Sequence, residues 1–165
     1  MWGRLASLKT AEQWRDGLLD LVPPLGDSYG SAAGALAADW YDDLRDRAGV
    51  PGRFSAEAAA LPPLARYEVL VRWGVGPLFR PEPEPAAALS LIDGGLQRIV
   101  ADAHRDTVRL SSVRDPKALG WQRVGGGSTC EFCEMLISRG AVYSEASADF
   151  ESHDRCNCAA APLWE

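Results

Sequence analysis

The apolar residues in the first third of the chain recur with the period of an α-helix. Between residues 28 and 48 they fall at intervals of three and four, which places them on one helix face. The members of this stripe are Tyr29, Ala33, Leu36, Ala37, Trp40, Tyr41 and Leu44. Gly49, with Pro51 beyond it, is a typical helix end. The pattern therefore predicts a long amphipathic helix over residues 28–48.

A separate helix is predicted before this one. Thr10 is a good N-cap residue, and Gln13 three residues later completes a capping-box pattern. The apolar face of this helix consists of Trp14, Leu18 and Leu21. Pro23 and Pro24 are expected to end it, because proline lacks the backbone N–H and its ring collides with the preceding turn.

Two further helical segments follow along the chain. Residues 63–73 predict a shorter helix that Gly74 ends. The run at 81–85, Pro-Glu-Pro-Glu-Pro, is expected to be a stiff extended connector. A helix is then predicted over residues 86–104, weakened at Gly94-Gly95 by about 1 kcal/mol per glycine relative to alanine.

The pattern changes after Asp115-Pro116, which is a turn signal. The short elements predicted beyond it are strands at 120–124, 141–143 and 161–164, a glycine loop at 125–127 and one or two helical turns at 134–138. The sequence thus predicts a mainly α fold with two parts. Residues 1–110 form a helical region, and residues 111–165 form a small α+β zinc-binding module.

Composition narrows the range of functions. The net charge is −6 and the pI is about 5.0, with arginines interleaved among acidic residues, so no basic face for wrapping DNA is evident. No apolar run reaches the length of a membrane span, and we expect no contact with a membrane. The first residues also lack the pattern of a secretory signal.

The cysteines carry the clearest chemical signal. All four lie between residues 130 and 158, whereas a disulfide framework would distribute them along a small domain. Cys130 and Cys133 have the C-x2-C spacing that brings two thiolates onto one metal ion, and His153 and Cys156 repeat that spacing. Cys158 is a fifth candidate. Few large apolar residues lie beyond residue 110, so a structural zinc ion would supply folding free energy there.

Zinc takes four ligands in a structural site, so one of the five candidates is a spectator. We prefer Cys130, Cys133, His153 and Cys156, because both pairs then have two residues between their ligands, as in a zinc knuckle. Replacement of His153 or Cys156 by Cys158 is the main competing assignment. Four reduced cysteines without a metal, or disulfides such as Cys130–Cys158, are also compatible with the sequence.

The order of motifs beyond residue 120 resembles a known family. Gly120-Trp121-Gln122-Arg123-Val124 is followed by Cys130-x2-Cys133-x-Met135-Leu136, then by Ser138 to Tyr143, then by His153-x2-Cys156-x-Cys158 and a Pro162-Leu163-Trp164 ending. This order is similar to that of the MuF-type minor head proteins of tailed phages, and most similar to the version in phages of actinobacteria. The Arg-rich, Lys-poor composition agrees with that origin.

The resemblance implies a non-enzymatic minor capsid or head-morphogenesis protein with structural Zn²⁺. Such proteins are packaged in few copies inside the phage head, and some associate with the portal and influence DNA entry or ejection. The expected partners are therefore portal and capsid proteins, with contact to packaged DNA and an oligomeric state in the virion. The expected locations are the head interior and, during assembly, the host cytoplasm.

Two other function classes remain open from the sequence. A zinc-stabilised HNH-type nuclease or small toxin is the main alternative, since HNH-type sites often lie on a Cys-x2-Cys scaffold. Such a nuclease needs a further histidine base, and His104 is a weak candidate because it lies beside Arg105 and Asp106 and is more typical of a surface residue. A host zinc-binding adaptor is the third possibility.

Overall fold

The computed structural model describes residues 10–126, 129–140, 143 and 149–165. Four α-helices and a two-stranded sheet are found in this part of the chain. They are α1 (Ala11–Arg47), α2 (Leu64–Gly74), α3 (Pro85–Arg114), β1 (Gly120–Val124), α4 (Glu131–Ser138) and β2 (Ala159–Leu163), with a 3-10 turn at Gly76–Phe79. The prediction of a mainly α fold with a small α+β C-terminal part is confirmed.

Helix α1 continues through Pro23 and Pro24, so the prediction of two helices separated by these prolines is wrong. The N-cap prediction is confirmed, because the Thr10 hydroxyl accepts a hydrogen bond from the Gln13 N–H at 3.2 Å. The buried positions of α1 recur about every four residues on both sides of the prolines: Leu18, Val22, Gly26, Gly30, Gly34, Ala37, Tyr41 and Arg45. A break would displace one half of this stripe from its neighbours. Packing along the whole stripe therefore outweighs the cost of about 3 kcal/mol for a proline inside a helix.

Glycines on α1 allow other segments to approach its backbone closely. A Cβ atom added at Gly26 would lie 2.2 Å from the Tyr67 ring on α2. An added Cβ at Gly30 would lie 3.0 Å from Leu61, and one at Gly34 would lie 3.3 Å from Ala58. The chain therefore runs antiparallel to α1 from residue 50 through α2. Residues 50–63 form no helix or strand.

Helix α3 lies beside α1 and runs in the same direction, since Gly34 faces Thr107 and Arg45 pairs with Asp115. It is longer than the predicted range 86–104 and ends at Arg114. The prediction for residues 63–73 is confirmed by α2, which ends at Gly74. Gly95 of α3 gives room to Leu70 of α2, which explains a glycine in the middle of a helix.

The connector at 81–85 is shorter than predicted. Pro85 is already the first residue of α3, and the Glu84 N–H donates to the Pro77 carbonyl at 3.1 Å. An ion pair between Arg80 and Glu84, with 2.5 Å between the two charged groups, closes the same turn. The segment reverses the chain between α2 and α3, which pack on each other, and is not a spacer between two parts of the protein.

The C-terminal elements form a small antiparallel sheet. Strand β1 confirms the prediction at 120–124, and β2 pairs with it from Gly120 opposite Leu163 to Val124 opposite Ala159. Strand β2 begins two residues earlier than predicted. Of the predicted strand at 141–143, only Tyr143 lies within the described residues, and it forms a β-bridge with Trp121. Helix α4 begins at Glu131, earlier than the predicted turns at 134–138, and Gly140 follows it with a φ of +68°.

A buried ion pair joins α1, α3 and the C-terminus. Arg45 donates to Asp115 at 2.8 Å, and both side chains are almost fully buried. The same carboxylate accepts hydrogen bonds from the Lys117 backbone N–H at 3.0 Å and the Trp164 indole N–H at 3.1 Å. Arg45 also donates to the Gly52 carbonyl at 2.9 Å. This network fixes the ends of both long helices against β2.

The buried apolar residues form two clusters along the α1–α3 pair. The first lies between α2 and the N-terminal halves of the long helices, and includes Val22, Tyr67, Val71 and Ile92. The second, which we call the cysteine core, consists of Ala37, Tyr41, Val108, Trp121, Cys133, Phe150, Cys156, Cys158 and Ala160. Residues from both predicted parts of the chain thus share one core. Among the described helices, none is long and apolar enough to cross a membrane.

Candidate metal centre

The first cysteine pair lies at the start of helix α4. Cys130 immediately precedes the helix and is exposed, whereas Cys133 lies in its first turn and is 1% exposed. The Cys130 carbonyl accepts a hydrogen bond from the Glu134 N–H at 2.9 Å, which begins the helix. The helix geometry therefore turns both sulfur atoms towards the same space.

The second pair lies in a tight turn between residues 151 and 158. The Cys156 N–H donates to the His153 carbonyl at 3.1 Å, and Arg155 between them has a φ of +60°. This left-handed conformation is uncommon for a residue with a side chain, and it brings His153 and Cys156 to the same side of the turn. The Arg155 side chain is held by the Ser90 hydroxyl of α3 at 2.6 Å.

Arg105 of α3 holds the same turn in place through hydrogen bonds. Its guanidinium donates to the Cys156 carbonyl at 2.6 Å and to the Cys158 carbonyl at 2.9 Å. Asp102 accepts from Arg105 at 2.9 Å and from the Ser152 hydroxyl at 2.7 Å. Helix α3 therefore helps to position the turn that carries His153 and Cys156.

The five predicted donors lie together. The His153 Nε2 atom is 3.2 Å from the Cys130 Sγ atom and 3.4 Å from the Cys133 Sγ atom. The Cys133 and Cys156 Sγ atoms are 3.7 Å apart. A tetrahedral metal with sulfur ligands at about 2.3 Å and nitrogen at about 2.0 Å holds two sulfurs about 3.8 Å apart and sulfur and nitrogen about 3.5 Å apart. These three separations are close to those values. Two overlapping groups of donors could hold a metal ion, namely Cys130 with Cys133 and His153, and Cys133 with Cys156 and Cys158.

Cys158 is closer to the other sulfurs than expected. The sulfur atoms of Cys133, Cys156 and Cys158 all lie within 4.8 Å of one another. Cys156 and Cys158 are two residues apart, and side chains at this spacing share one face of an extended chain. Cys158 therefore stays a candidate ligand on geometric grounds. Cys133 belongs both to this group and to the group with Cys130 and His153, and the choice of spectator stays open.

All four cysteines are free thiols, so the disulfide pairing is absent from this structure. The backbone N–H of Cys133, with smaller contributions from the Cys133 side chain and His153, lowers the pKa of Cys130 to about 7. Burial raises the pKa of Cys133 and of Cys158. For Cys156, burial is outweighed by the Cys158 backbone N–H, Cys133 and the Arg105 charge, and the pKa is lowered. The exposed end of the cluster thus offers a thiolate near neutral pH, which is the form that binds metals.

Aromatic side chains from β1 and the C-terminal loop pack beside the cysteines. Trp121 is fully buried, stacks on Tyr143 with 4.4 Å between ring centroids, and also lies against Phe150. Arg123, two residues further along β1, is buried on the same face and lies over the Phe150 ring at 3.8 Å. The metal centre is therefore part of a packed core.

Arg105 and Arg123 are the residues of this site that sequence reasoning missed. Arg123 carried a usable signal, because it lies two positions after Trp121 and the period of a strand places both on one face. Arg105 carried none, since no pattern in the sequence around it indicates a buried arginine. His104, the weak catalytic candidate, packs against Trp40 of α1 with ring centroids 5.7 Å apart, and burial lowers its pKa.

The model of the VG15 protein family matches residues 1–165 of this chain. A search of curated proteins and a search of solved structures each found no match.

Proposed function

This chain belongs to the VG15 protein family, a viral family, and is therefore a phage-encoded protein; from this premise we propose that it is a non-enzymatic component of the phage head. The proposed role is that of a minor capsid or head-morphogenesis protein that binds the portal inside the head. It would act in head assembly or in DNA packaging or ejection.

The observation that carries a structural role is the number of protein donors at the metal centre. Five donor side chains compete for four positions, and three of the cysteines are buried in the cysteine core. A centre whose positions are all filled by protein ligands leaves none for a substrate. Sulfur and imidazole donors at tetrahedral spacing are the set that zinc prefers, so the proposed metal is structural Zn²⁺.

The portal assignment is supported by the sequence resemblance. The motif order between residues 120 and 164 resembles that of MuF-type minor head proteins. The acidic balance suits a protein that does not bind packaged DNA tightly along its whole surface. Exposed apolar side chains on the helices, such as Leu36 on α1 and Trp73 on α2, are available for contacts with other head proteins.

Quantitative mass spectrometry of purified virions tests this proposal. We expect the protein at low copy relative to the major capsid protein, and cross-linking should join it to the portal. Its absence from particles, or its presence only with tail proteins outside the head, would contradict the assignment.

The alternative is a zinc-stabilised HNH-type nuclease or small toxin, which the Cys-x2-Cys pair beside a histidine favours. It requires a histidine base besides the metal ligand. His153 contacts two cysteine sulfurs, and His104 is half-buried against Trp40. Magnesium-dependent cleavage of plasmid DNA by the purified chain, lost in a His104→Ala variant, would support the nuclease over the head protein.

A further inference from the structure

A buried arginine beside the cysteine cluster has no acidic partner. Arg123 is 4% exposed, and it forms no ion pair with a carboxylate of the described residues. The two other buried arginines differ in this respect, because Arg45 pairs with Asp115 and Arg105 pairs with Asp102. A buried charge without a counter-charge is costly, so the absence of a partner calls for an explanation.

The hydrogen bonds of Arg123 are also incomplete. One terminal nitrogen donates to the carbonyl of Phe150 and, at 3.1 Å, to that of Glu151. Within the described part of the chain, the Nε atom and the other terminal nitrogen are buried and have no hydrogen-bond partner. The carbonyl contacts and the Phe150 ring therefore fix the position of the guanidinium. Within the described residues they leave two of its nitrogens without a hydrogen bond and its charge without an anionic partner.

The sheet register places Arg123 on the face of β1 that meets the cysteine core. Its Cα is paired with that of Ala160, and directly opposed residues of an antiparallel pair project to the same face. Cys158 lies two residues before Ala160, and both are buried in the cysteine core together with Trp121. Ala160 is small, which leaves space for the arginine on this face.

A zinc ion would make this region negative. Three thiolates and a neutral imidazole around Zn²⁺ carry a net charge of −1, and four thiolates carry −2. A buried anion needs compensation in the same way as a buried cation.

We propose that Arg123 is a positioning residue whose charge is the counter-ion of the zinc–thiolate centre. This inference rests on the proposed structural zinc site. Arg123 stabilises the thiolate-rich, metal-bound state without ligating the metal, and its carbonyl contacts at Phe150 and Glu151 hold the charge in place.

Zinc affinity of the full chain, measured by competition with a chromogenic chelator, tests the proposal. Arg123→Gln should lower the affinity about 10- to 100-fold, as loss of residues that support metal ligands typically does. Arg123→Lys, which keeps the charge, should lose much less. Arg114→Gln is the matched control, because it removes an exposed charge from the end of α3, and it should leave the affinity unchanged.

Measuring the same Arg123 variants in a chain that also carries Cys130→His distinguishes charge compensation by Arg123 from a packing role. Cys130→His keeps a zinc ligand but removes one negative charge, so the loss caused by Arg123→Gln should shrink there. If Arg123→Gln alone does not fold, the same background should restore folding. Equal losses in Arg123→Lys and Arg123→Gln, equal losses in both backgrounds, or no restored folding would overturn the inference. A wild-type chain that binds no zinc would overturn the zinc assignment as well.

Discussion

Replacement of Asp115 by alanine removes the carboxylate that joins both long helices to the C-terminus. In the wild-type protein this group accepts hydrogen bonds from Arg45 at 2.8 Å, from the Lys117 N–H at 3.0 Å and from the Trp164 indole at 3.1 Å. The variant would leave the Arg45 guanidinium buried without its counter-charge. Breaking a buried ion pair in this way costs about 3–5 kcal/mol.

This loss is large compared with the stability of a typical domain, which is about 5–15 kcal/mol. Urea unfolding of the zinc-saturated protein, followed by circular dichroism, measures it directly. Asp43→Ala is the matched control, since Asp43 pairs with Arg47 at 2.7 Å but both side chains are more than 60% exposed. An exposed pair contributes about 1 kcal/mol or less, and the control should change little.

The pH dependence of the difference between wild type and Asp115→Asn provides an independent check. Burial alone would raise the pKa of Asp115, but the hydrogen bonds from Arg45, Lys117 and Trp164 outweigh it and hold the pKa below its ordinary value. A carboxyl group with a lowered folded pKa stabilises the fold above its unfolded pKa and loses that contribution as the pH falls through the folded value. The difference in unfolding free energy should therefore be full at neutral pH and shrink below about pH 4.

In the urea experiment, a loss of stability in Asp115→Ala no larger than that in Asp43→Ala would refute the reasoning.

Two further predictions concern packing and ligand choice. Gly26→Ala should destabilise the protein by about 1–3 kcal/mol in thermal unfolding, because the new methyl group would meet the Tyr67 ring, whereas Gly76→Ala, with open space around it, should have little effect. A stable Gly26→Ala variant would contradict the close packing of α1 and α2. The Cys133 and Cys156 Sγ atoms are 3.7 Å apart, which is close to the separation of two sulfurs on one zinc ion and favours Cys156 as the ligand. Cys156→Ser should therefore lose zinc and Cys158→Ser should keep it, as measured by metal analysis after gel filtration, and the reverse result would exchange these two cysteines in the ligand set.

The sequence predicted the elements whose signals are local. The cap at Thr10, the end of α2 at Gly74 and the strand at 120–124 each depend on residues close in sequence, and each is found in the structure. The convergence of Cys130, Cys133, His153 and Cys156 also followed from spacing, because two turns of similar geometry present their donors in similar ways.

The wrong prediction for α1 concerns a feature that depends on contacts between residues far apart in the sequence. Pro23 and Pro24 predicted a helix end, but the stripe that keeps α1 continuous includes Gly26, Gly30 and Gly34, and glycines do not register as an apolar pattern. Glycine is required at these positions because Tyr67, Leu61 and Ala58, which lie far along the chain, pack against the backbone of α1 there. The proximity of Cys158 to Cys156, by contrast, agrees with the two-residue period of an extended chain, and Arg105 of α3 holds the carbonyls of both residues.

The division at residue 110 remains a prediction. The cysteine core contains Tyr41 and Val108 from the helices as well as Trp121 and Cys156 from the C-terminal part. Because these residues share one core, we expect loss of the metal to weaken the α1–α3 pair as well as the sheet.

Native mass spectrometry of the freshly purified chain, with elemental analysis of the same sample, tests the proposed zinc centre most directly. We expect about one zinc ion per folded chain, and a mass that corresponds to four cysteines without a disulfide. Cys133→Ser, which removes the sulfur common to both donor groups, should abolish the bound zinc. A correctly folded wild-type chain without zinc, or zinc retained in full by Cys133→Ser, would contradict this expectation.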